Sequence, residues 1–265
     1  MSRNSIPFTK MHGLGNDFVV INSLVNKYDL SPAFIAELAN RHTGIGFDQL
    51  LLIEPSHQAN IFCRIFNADG SEAEQCGNGL RCIARYIHEE GLDVSKQLSI
   101  ETRAGLFTAE ISDYDHIRVC MGQPVITQPQ LELRLASKTA SVCILSLGNP
   151  HAVMQVNDLN DASLEQLAKE IAADKHFPDG VNIGFMQVAG AKHIRLRTFE
   201  RGSGETYACG SNACATAVAG ILQNVSQSPV KVDFRYGSLT IEWEGKQQPV
   251  YMTGAAARVY SGEVK

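Results

Sequence analysis

The stretch RIFNADGSEAEQCG at residues 64–77 recurs 133 positions later, as RTFERGSGETYACG at residues 197–210. The pairs that coincide without a gap are Arg64/Arg197, Phe66/Phe199, Glu72/Glu205, Cys76/Cys209 and Gly77/Gly210. The same displacement places Leu14-Gly15-Asn16 over Leu147-Gly148-Asn149. The segment IGF also recurs, at 45–47 and 183–185, but displaced by 138, so a small length difference lies between. Self-similarity at one displacement indicates a duplicated unit. The sequence therefore predicts two homologous domains, one in each half of the chain.

Hydrophobic periodicity predicts the elements within each half. Helices are predicted at 31–40, where Ser and Pro supply the N-cap and first helical residue, and at 162–175. Two further helices follow the Cys-Gly pairs and end at Gly91 and Asn224. The remaining apolar runs are typical of strands, and many are joined by short turns, which favours antiparallel pairing over a doubly wound sheet. The polar, proline-containing stretch at 122–130 predicts the domain boundary.

Composition restricts the class of protein. Apolar residues make up 44% and charged residues 19%, as in soluble globular proteins. The net charge is −5 without a long basic cluster, which disfavours nucleic acid and anionic membranes as partners. The N-terminal segment MSRNSIPFTK lacks the apolar core of a secretory signal, and no run approaches the ~18 apolar residues of a spanning helix. We expect a soluble, cytoplasmic protein.

The chain contains seven cysteines, an odd number without an export signal, which favours reduced thiols. Cys63, Cys120 and Cys143 lie in strand-like apolar runs and are expected to be small buried hydrophobes. Cys82 and Cys214 lie inside predicted helices at non-equivalent positions of the repeat, as expected of core residues.

Cys76 and Cys209 differ from the other cysteines because each directly precedes a predicted helix. The first N–H groups of a helix lack intrahelical partners and stabilise a nearby anion, so a thiol there is expected to have a lowered pKa. Gly77 and Gly210 leave these N–H groups open to a carboxylate. Two such halves could supply one thiol on each face of a substrate carbon, an arrangement suited to inverting a stereocentre.

Other uses of the cysteines remain open. Four cysteines could hold zinc, but Cys76 and Cys82 are separated by five residues, which exceeds the usual spacing of two to four. A redox pair formed by Cys76 and Cys209 is a second alternative, although the chain contains no C-x-x-C. The third alternative is that Cys76 and Cys209 are inert and recur only because the scaffold is duplicated.

Several blocks together resemble the diaminopimelate epimerase family: MHGLGNDFVVI, FDQLLLIEP, FNADGSEAEQCGNGLRC, GNPHAV, VNIGF and ERGSGETYACGSNACATA. The resemblance covers essentially the whole chain, whereas the paired Cys-Gly motifs alone would also fit proline racemases. This chain has Asn212 where the family commonly has Gly, and TGAAA near its C-terminus where TGPA is frequent.

The resemblance implies an isomerase that interconverts LL- and meso-2,6-diaminopimelate, for lysine and peptidoglycan synthesis, without a cofactor or metal. It implies an α/β fold of two pseudo-symmetric domains, each a curved, mainly antiparallel sheet around a central helix, with the active site in the cleft between them. The expected domains are residues 1–122 with 254–265, and 123–253. Family members commonly form homodimers, so a second copy is the expected protein partner.

The resemblance also implies roles for individual residues. Cys76 and Cys209 would be the acid–base thiols, and His151 and Glu200 would tune them. Arg201 would hold the distal carboxylate of the substrate bidentately. The full set implied to bind substrate is Asn16, Gln49, Asn67, Gly77, Asn78, Asn149, Asn182, Glu200, Arg201, Gly210 and Ser211.

Each of these residues also has a purely structural interpretation. Asn16 and Asn149 follow glycine and could be turn residues, Gln49 could be a plain surface residue, and His151 could be a satisfied core histidine. Arg64 and Arg197 recur in the repeat without an implied catalytic role, and we expect them to form structural ion pairs. Among enzymes, the alternative is a racemase for a smaller amino or imino acid.

Overall fold

The computed structural model describes residues 5–265, so the first four residues of the N-terminal segment considered above lie outside it. The described residues divide into two compact units. Unit 1 contains those up to Val119 together with Gly254–Lys265, and unit 2 is Cys120–Thr253. The predicted α/β class is confirmed, since strands predominate and four helices occur among the described residues. The sequence-derived domain limits at 122/123 and 253/254 stay a prediction.

Unit 1 contains helices α1 (Pro32–Ala39) and α2 (Gly77–Glu89). Its strands, numbered in chain order through the whole protein, are β1 (Ile6–Gly13), β2 (Asn16–Asn22), β3 (Gln49–Glu54), β4 (Ile61–Asn67), β5 (Glu72–Ala73), β6 (Gln97–Thr102), β7 (Gly105–Ile111), β8 (Ile117–Cys120) and β18 (Ala257–Val264). The strands pair in the order β18-β1-β2-β3-β4-β6-β7-β8, with β5 on the end of β4. The β2–β3 and β4–β6 pairs are parallel and the others antiparallel.

Unit 2 contains helices α3 (Ser163–Ala172) and α4 (Gly210–Leu222). Its strands are β9 (Val125–Arg134), β10 (Thr139–Ser146), β11 (Pro150–Gln155), β12 (Asn182–Gly190), β13 (His193–Glu200), β14 (Gly204–Thr206), β15 (Val230–Phe234), β16 (Gly237–Glu242) and β17 (Tyr251–Gly254). They pair in the order β9-β10-β11-β12-β13-β15-β16-β17, again with two parallel pairs, β11–β12 and β13–β15. The predicted duplication is confirmed, and β18 has the place in unit 1 that β9 has in unit 2.

The register of the parallel pairs fixes which residues are equivalent. Phe18 lies opposite Gln49 in unit 1, and His151 lies opposite Asn182 in unit 2, so both pairs keep the displacement of 133. Ile183 follows Asn182 inside β12, whereas Ile45 precedes β3. The two IGF segments are therefore not structurally equivalent, and that part of the predicted repeat is wrong.

The helices that follow the Cys-Gly pairs form part of the core of each unit. Every residue of α4 from Gly210 to Gly220 is buried, because its small, uncharged side chains can pack on all faces. The helix α1 begins as predicted, with Ser31 as N-cap accepting from the Phe34 N–H and Pro32 at the first position. Among the described residues, no helix combines the length and apolar character needed to cross a membrane.

The predicted boundary stretch at 122–130 differs from expectation because Val125 already begins strand β9. Within the described part of the chain, this strand pairs with β10 alone. The register shifts around Ile144, opposite the part of β9 that contains Pro129. An edge strand tolerates proline because its outer N–H groups need no partner. The polar character of the stretch reflects an exposed edge strand.

Candidate functional site

In unit 1, Cys76 is the N-cap of α2, with extended backbone (φ −148°, ψ 110°). Its carbonyl accepts from the Leu80 N–H at 2.9 Å, so the N–H groups before Leu80 lie in the first turn, where intrahelical partners are lacking. The thiol is half-buried, and its sulfur lies 3.8 Å from Asn16 Oδ1. The structure thus brings the predicted Cys76, Gly77, Asn78 and Asn16 together.

Charged side chains that sequence reasoning missed hold the asparagines near this thiol. Asn16 Nδ2 donates to Asp48 Oδ2 at 2.9 Å, and Arg41 Nη2 donates to Asp48 Oδ1 at 2.7 Å. On the other side, the fully buried Arg81 donates from Nη2 to Asn78 Oδ1 at 3.0 Å. The available signal for Arg81 was its position three residues after the predicted Asn78, which places both side chains on one face of the helix that follows Cys76.

Two further predicted residues of unit 1 lie side by side on β3 and β4. Gln49 and Asn67 are directly opposite in the register, and Gln49 Nε2 donates to Asn67 Oδ1 at 3.0 Å. Asn67 Nδ2 donates to Ser71 Oγ at 3.0 Å, so its side chain is held from both ends. Gln49 therefore makes a specific contact and is not a plain surface residue.

In unit 2, Cys209 is the N-cap of α4, with the same extended backbone (φ −132°, ψ 116°). Burial raises the pKa of its thiol well above the ordinary value, and the Glu200 carboxylate adds to the increase. The Ser211 hydroxyl, 3.5 Å from the sulfur, and the Asn212 backbone N–H act in the opposite direction but do not prevail. The predicted lowering of the pKa at this helix start is wrong for Cys209, because desolvation outweighs the helix N-terminus.

A chain of hydrogen bonds links the Cys209 thiol to a buried histidine. Ser211 Oγ accepts from Asn149 Nδ2 at 3.5 Å, and Asn149 Oδ1 lies 3.0 Å from His151 Nε2. His151 is fully buried, and this burial lowers its pKa to about 3, with the Asn212 side chain acting in the opposite direction. His151 is therefore a neutral imidazole near pH 7, and it reaches the thiol through Asn149 and Ser211.

Asn182 and Arg201 are joined through the backbone. Asn182 Nδ2 donates to the Pro150 carbonyl at 3.0 Å, and its Oδ1 accepts from the Arg201 N–H at 3.1 Å. The exposed Arg201 guanidinium donates to the Asp179 carbonyl at 3.1 Å, and a Cβ added at Gly180, where φ is +78°, would lie 2.9 Å from the Arg201 side chain. Asn182 thus positions the loop that presents Arg201.

Glu200 and Arg201 also line a largely apolar pocket of about 470 Å³ on unit 2. Ala168 and Ala172 of α3 line the same pocket. Glu200 Oε1 accepts a short hydrogen bond from the Thr206 hydroxyl, so Thr206 is a further residue that sequence reasoning missed. The Glu200 carboxylate also interacts with the Cys209 thiol, through its charge and a side-chain hydrogen bond.

Asn212, the departure from the common glycine, is fully buried in the first turn of α4. Its Nδ2 donates to the Ile183 carbonyl at 2.9 Å and makes a short contact with Thr198 Oγ1. A Cβ at Gly184 would lie 2.6 Å from Asn212 Oδ1, so the asparagine occupies space that this glycine leaves open. The side chain points into the core of unit 2, and the Asn212 N–H still acts on Cys209.

The structural interpretation of the recurring arginines is confirmed. Arg64 Nε lies 3.0 Å from Glu72 Oε1, and Arg197 Nε lies 2.6 Å from Glu205 Oε1. Each guanidinium also stacks over the phenylalanine two residues on, Phe66 or Phe199. The repeated Arg-x-Phe motif thus fastens β5 and β14 onto the ends of the strands that precede the thiols.

The other cysteines are mostly core residues, as predicted. Cys82 and Cys214 are fully buried, and burial raises the pKa of Cys82 to about 12. Cys63 and Cys143 are buried as well, whereas Cys120 is only half-buried and departs from the expectation. A raised pKa makes a thiol a poor nucleophile and a poor metal ligand near pH 7.

A family model described as diaminopimelate epimerase matches residues 8–127 and 143–259 of the chain. A diaminopimelate epimerase of Azoarcus sp. (strain BH72) is 46% identical over 273 residues, covering 98% of this chain and 99% of the relative. One from Nitrosospira multiformis is 46% identical over 272 residues, covering 98% of each protein.

Solved structures of more distant proteins share the fold. A hydroxyproline epimerase from Agrobacterium vitis matches with a TM-score of 0.75 at 15% identity, covering 99% of this chain and 93% of that one. A phenazine biosynthesis protein of the PhzF family from Bacillus anthracis matches with a TM-score of 0.72 at 16% identity, covering 99% and 100%. The family match and the 46% identities carry more than the fold: the chain belongs to the diaminopimelate epimerase family and is, by that membership, an isomerase.

Proposed function

We propose that this protein interconverts LL- and meso-2,6-diaminopimelate by direct proton transfer at one α-carbon. The observation that carries the proposal is the repeated half-site: each unit places a cysteine at the N-cap of a buried helix, with an asparagine-containing hydrogen-bond network at its sulfur. Membership of the diaminopimelate epimerase family supplies the substrate.

The two thiols act as the base and the acid of one reaction. One cysteine of the pair Cys76 and Cys209 removes the α-proton as thiolate, and the other returns a proton to the opposite face of the carbon. The roles exchange when the reaction runs backwards. Because the Cys209 thiol has a raised pKa, it holds its proton at neutral pH, which suits the donor role in one direction. The reaction then needs no pyridoxal phosphate or metal.

Backbone donors at the helix starts stabilise the intermediate charge. Loss of the α-proton spreads negative charge into the neighbouring carboxylate, so donors to that carboxylate stabilise the transition state more than the ground state. We assign this role to the N–H groups of Gly77, Asn78, Gly210 and Ser211, which lie in the first turns of α2 and α4.

The distal end of the substrate requires its own recognition. Arg201 is exposed on the loop after β13, with its guanidinium held by the Asp179 carbonyl, and it binds the distal carboxylate bidentately. Asn67, Asn149 and Asn182 complete this recognition together with Asn16 and Gln49. Glu200 and His151 tune the thiols, Glu200 from beside Cys209 and His151 through Asn149.

The product would serve lysine and peptidoglycan synthesis in the cytoplasm. We further propose that the protein acts as a homodimer and takes neither nucleic acid nor membrane as partner. These are extensions of the family assignment, and oligomeric state is measured directly by sedimentation.

The test is an assay of the purified protein with LL-diaminopimelate and, separately, with L-proline. Chiral chromatography should show conversion to the meso isomer until equilibrium, in the presence of a chelator and without added pyridoxal phosphate. Efficient racemisation of proline with no diaminopimelate product would replace the proposed substrate by a smaller imino acid.

A further inference from the structure

A chain of side-chain hydrogen bonds passes the Cys76 sulfur within unit 1. Arg81 Nη2 donates to Asn78 Oδ1 at 3.0 Å, and Asn78 Nδ2 donates to Asn16 Oδ1 at 3.2 Å. Asn16 Nδ2 then donates to Asp48 Oδ2 at 2.9 Å. The Cys76 sulfur lies 3.8 Å from the same Asn16 oxygen. The chain therefore runs in one direction, from a guanidinium to a carboxylate.

The two ends of the chain determine its direction. A guanidinium can only donate hydrogen bonds, and an ionised carboxylate can only accept them. Turning the Asn16 amide over would place its oxygen against the Asp48 carboxylate. Turning the Asn78 amide over would place its NH₂ group against Arg81. Each amide therefore has a single orientation in which all three bonds form, and in that orientation Asn16 presents its oxygen to the thiol.

Both ends are held in place by further contacts. The other oxygen of Asp48 accepts from Arg41 Nη2 at 2.7 Å, and the Asp17 backbone N–H donates to Asp48 Oδ2 at 3.1 Å. Arg81 is fully buried, and its Nε donates to the Ala255 carbonyl at 3.2 Å. A Cβ on Gly13 would lie 2.9 Å from Arg81 Nη2, so glycine leaves room for the guanidinium.

An acceptor beside a thiol stabilises the protonated form, because only the S–H group can donate to it. We propose that Asp48 and Arg81 are positioning residues that orient Asn16 through this chain, so that its oxygen keeps Cys76 protonated. Cys76 then enters the reaction as a thiol and donates its proton to the α-carbon, and the thiolate left by that donation is the form that accepts the substrate proton in the opposite direction. The inference rests on the proposed acid–base role of Cys76.

Other titratable groups in the same unit also act on Cys76. Their effects must be distinguished from the effect of the hydrogen-bond chain. The Cys63 thiol of β4 and the Cys82 thiol of α2 both interact with it electrostatically. The Arg81 charge favours the thiolate, whereas the Asp48 charge favours the thiol. Arg41 and Asp17 lie beyond Asp48 and form ion pairs with each other. A test must therefore distinguish the orientation of Asn16 from simple loss of charge.

The test measures the alkylation rate of Cys76 by iodoacetamide against pH, read by mass spectrometry of the Cys76 peptide. In Asp48→Asn, an NH₂ group replaces one acceptor, and Asn16 can turn its own NH₂ group toward the sulfur. The midpoint of the alkylation rate against pH should therefore move to lower pH by about one unit. Glu110→Gln is the matched control. Glu110 lies on the exposed strand β7, where its carboxylate pairs with Arg118, and its removal should leave the midpoint unchanged.

The same substitution in an Asn16→Ala background isolates the chain by a double-mutant cycle. Without the Asn16 amide, Asp48→Asn should produce a smaller shift of the midpoint, the part that comes from the lost charge alone. An equal shift in both backgrounds would show that charge alone acts, and an unchanged midpoint in Asp48→Asn would equally overturn the proposal. Asn16→Ala by itself should lower the midpoint, so an unshifted Asn16→Ala contradicts the proposal even where Asp48→Asn fails to fold.

Alkylation needs no turnover, so it separates this inference from the proposed function. If the wild-type protein lacks epimerase activity but its variants show the predicted shifts, the proposed function is wrong and the role of the hydrogen-bond chain is supported. An active enzyme whose Cys76 profile ignores both Asp48 and Asn16 would do the reverse.

Discussion

The half-sites at Cys76 and Cys209 share one backbone design but anchor their asparagines differently. Asn16 is fixed by Asp48, a carboxylate whose side chain is 44% exposed and paired with Arg41. Asn149, at the equivalent position of the repeat, is fixed by the fully buried, neutral His151. Duplication has thus kept the asparagine near each thiol, while one half uses solvated ions and the other a desolvated imidazole.

A second difference explains the unusual Asn212. In unit 1 the equivalent residue is Gly79, where an added Cβ would lie 3.1 Å from Leu51. In unit 2 the position equivalent to Leu51 is Gly184, and Asn212 fills the space beside it. Large and small residues have exchanged places across the helix–strand contact. Asn212 is therefore a packing partner of Gly184, and the change leaves the N–H donors of the helix start intact.

The largest effects should come from the thiols themselves. Cys76→Ser and Cys209→Ser should each lower kcat/KM by about 10²–10⁴-fold, because a hydroxyl is a far poorer acid and base than a thiol in proton transfer. Cys82→Ser and Cys214→Ser, matched changes at buried helical positions, should affect stability and leave the chemistry largely intact. Steady-state kinetics on folded variants decide this, and a Cys82→Ser enzyme as impaired as Cys76→Ser would contradict the assignment.

Arg201→Ala should come next, with kcat/KM lower by on the order of 10²-fold, because the distal carboxylate of the substrate loses its ionic partner. This prediction also distinguishes the two half-sites, because unit 1 has Ala68, without a charge, at the position equivalent to Arg201. Arg195→Ala, an exposed arginine on β13, is the control and should retain activity. Normal kinetics with Arg201→Ala would show that another group recognises that carboxylate.

The exchanged packing predicts a smaller, structural effect. Gly184→Ala should destabilise the protein by about 1–3 kcal/mol, because the new methyl group overlaps Asn212 Oδ1. Adding Asn212→Gly should restore part of that loss. Gly190→Ala is the control, since a Cβ there meets nothing closer than 3.9 Å. Chemical denaturation measures the wild type, Gly184→Ala, Asn212→Gly, the double variant and Gly190→Ala, and strictly additive losses in the double variant would refute the exchange.

The smallest effect concerns the pH dependence of stability. The folded pKa of His151, about 3, lies below the ordinary value of 6.5, so the unfolded chain binds a proton that the folded protein excludes. Stability should fall as pH drops below about 6.5, approaching about 1.4 kcal/mol per pH unit from this group. His151→Gln should flatten the decline measured between pH 6.5 and 4.5, whereas exposed His57→Gln should not. Identical slopes would mean that His151 is not held neutral.

Much of the fold was predictable because local and global signals agree. Ser31 and Pro32 mark the start of α1, and the displacement of 133 predicts which strands and helices correspond. Strand β9 was missed because polar residues and Pro129 interrupt its apolar pattern before Leu131 and Leu133, which pack on the core. The IGF match misled because three apolar and small residues recur by chance more easily than a motif carrying cysteine.

The candidate site was predictable where residue type alone carries the chemistry. Cys76 and Cys209 stand out through their shared context, but the raised pKa of Cys209 depends on burial and on Glu200, which become visible only in three dimensions. Asp48 and Arg81 are absent from the predicted set because neither resembles a catalytic motif. Their importance arises from which amide each one touches.

The central claim is that the two thiols serve opposite faces of one carbon, and exchange of the α-hydrogen with deuterated water tests it most directly. Each of Cys76→Ser and Cys209→Ser is incubated with LL- and with meso-diaminopimelate, and deuterium incorporation is followed by NMR. The remaining thiol should still exchange the hydrogen on its own side, so the two variants should prefer opposite stereoisomers. If both variants exchange the same stereoisomer preferentially, the two-thiol account is contradicted.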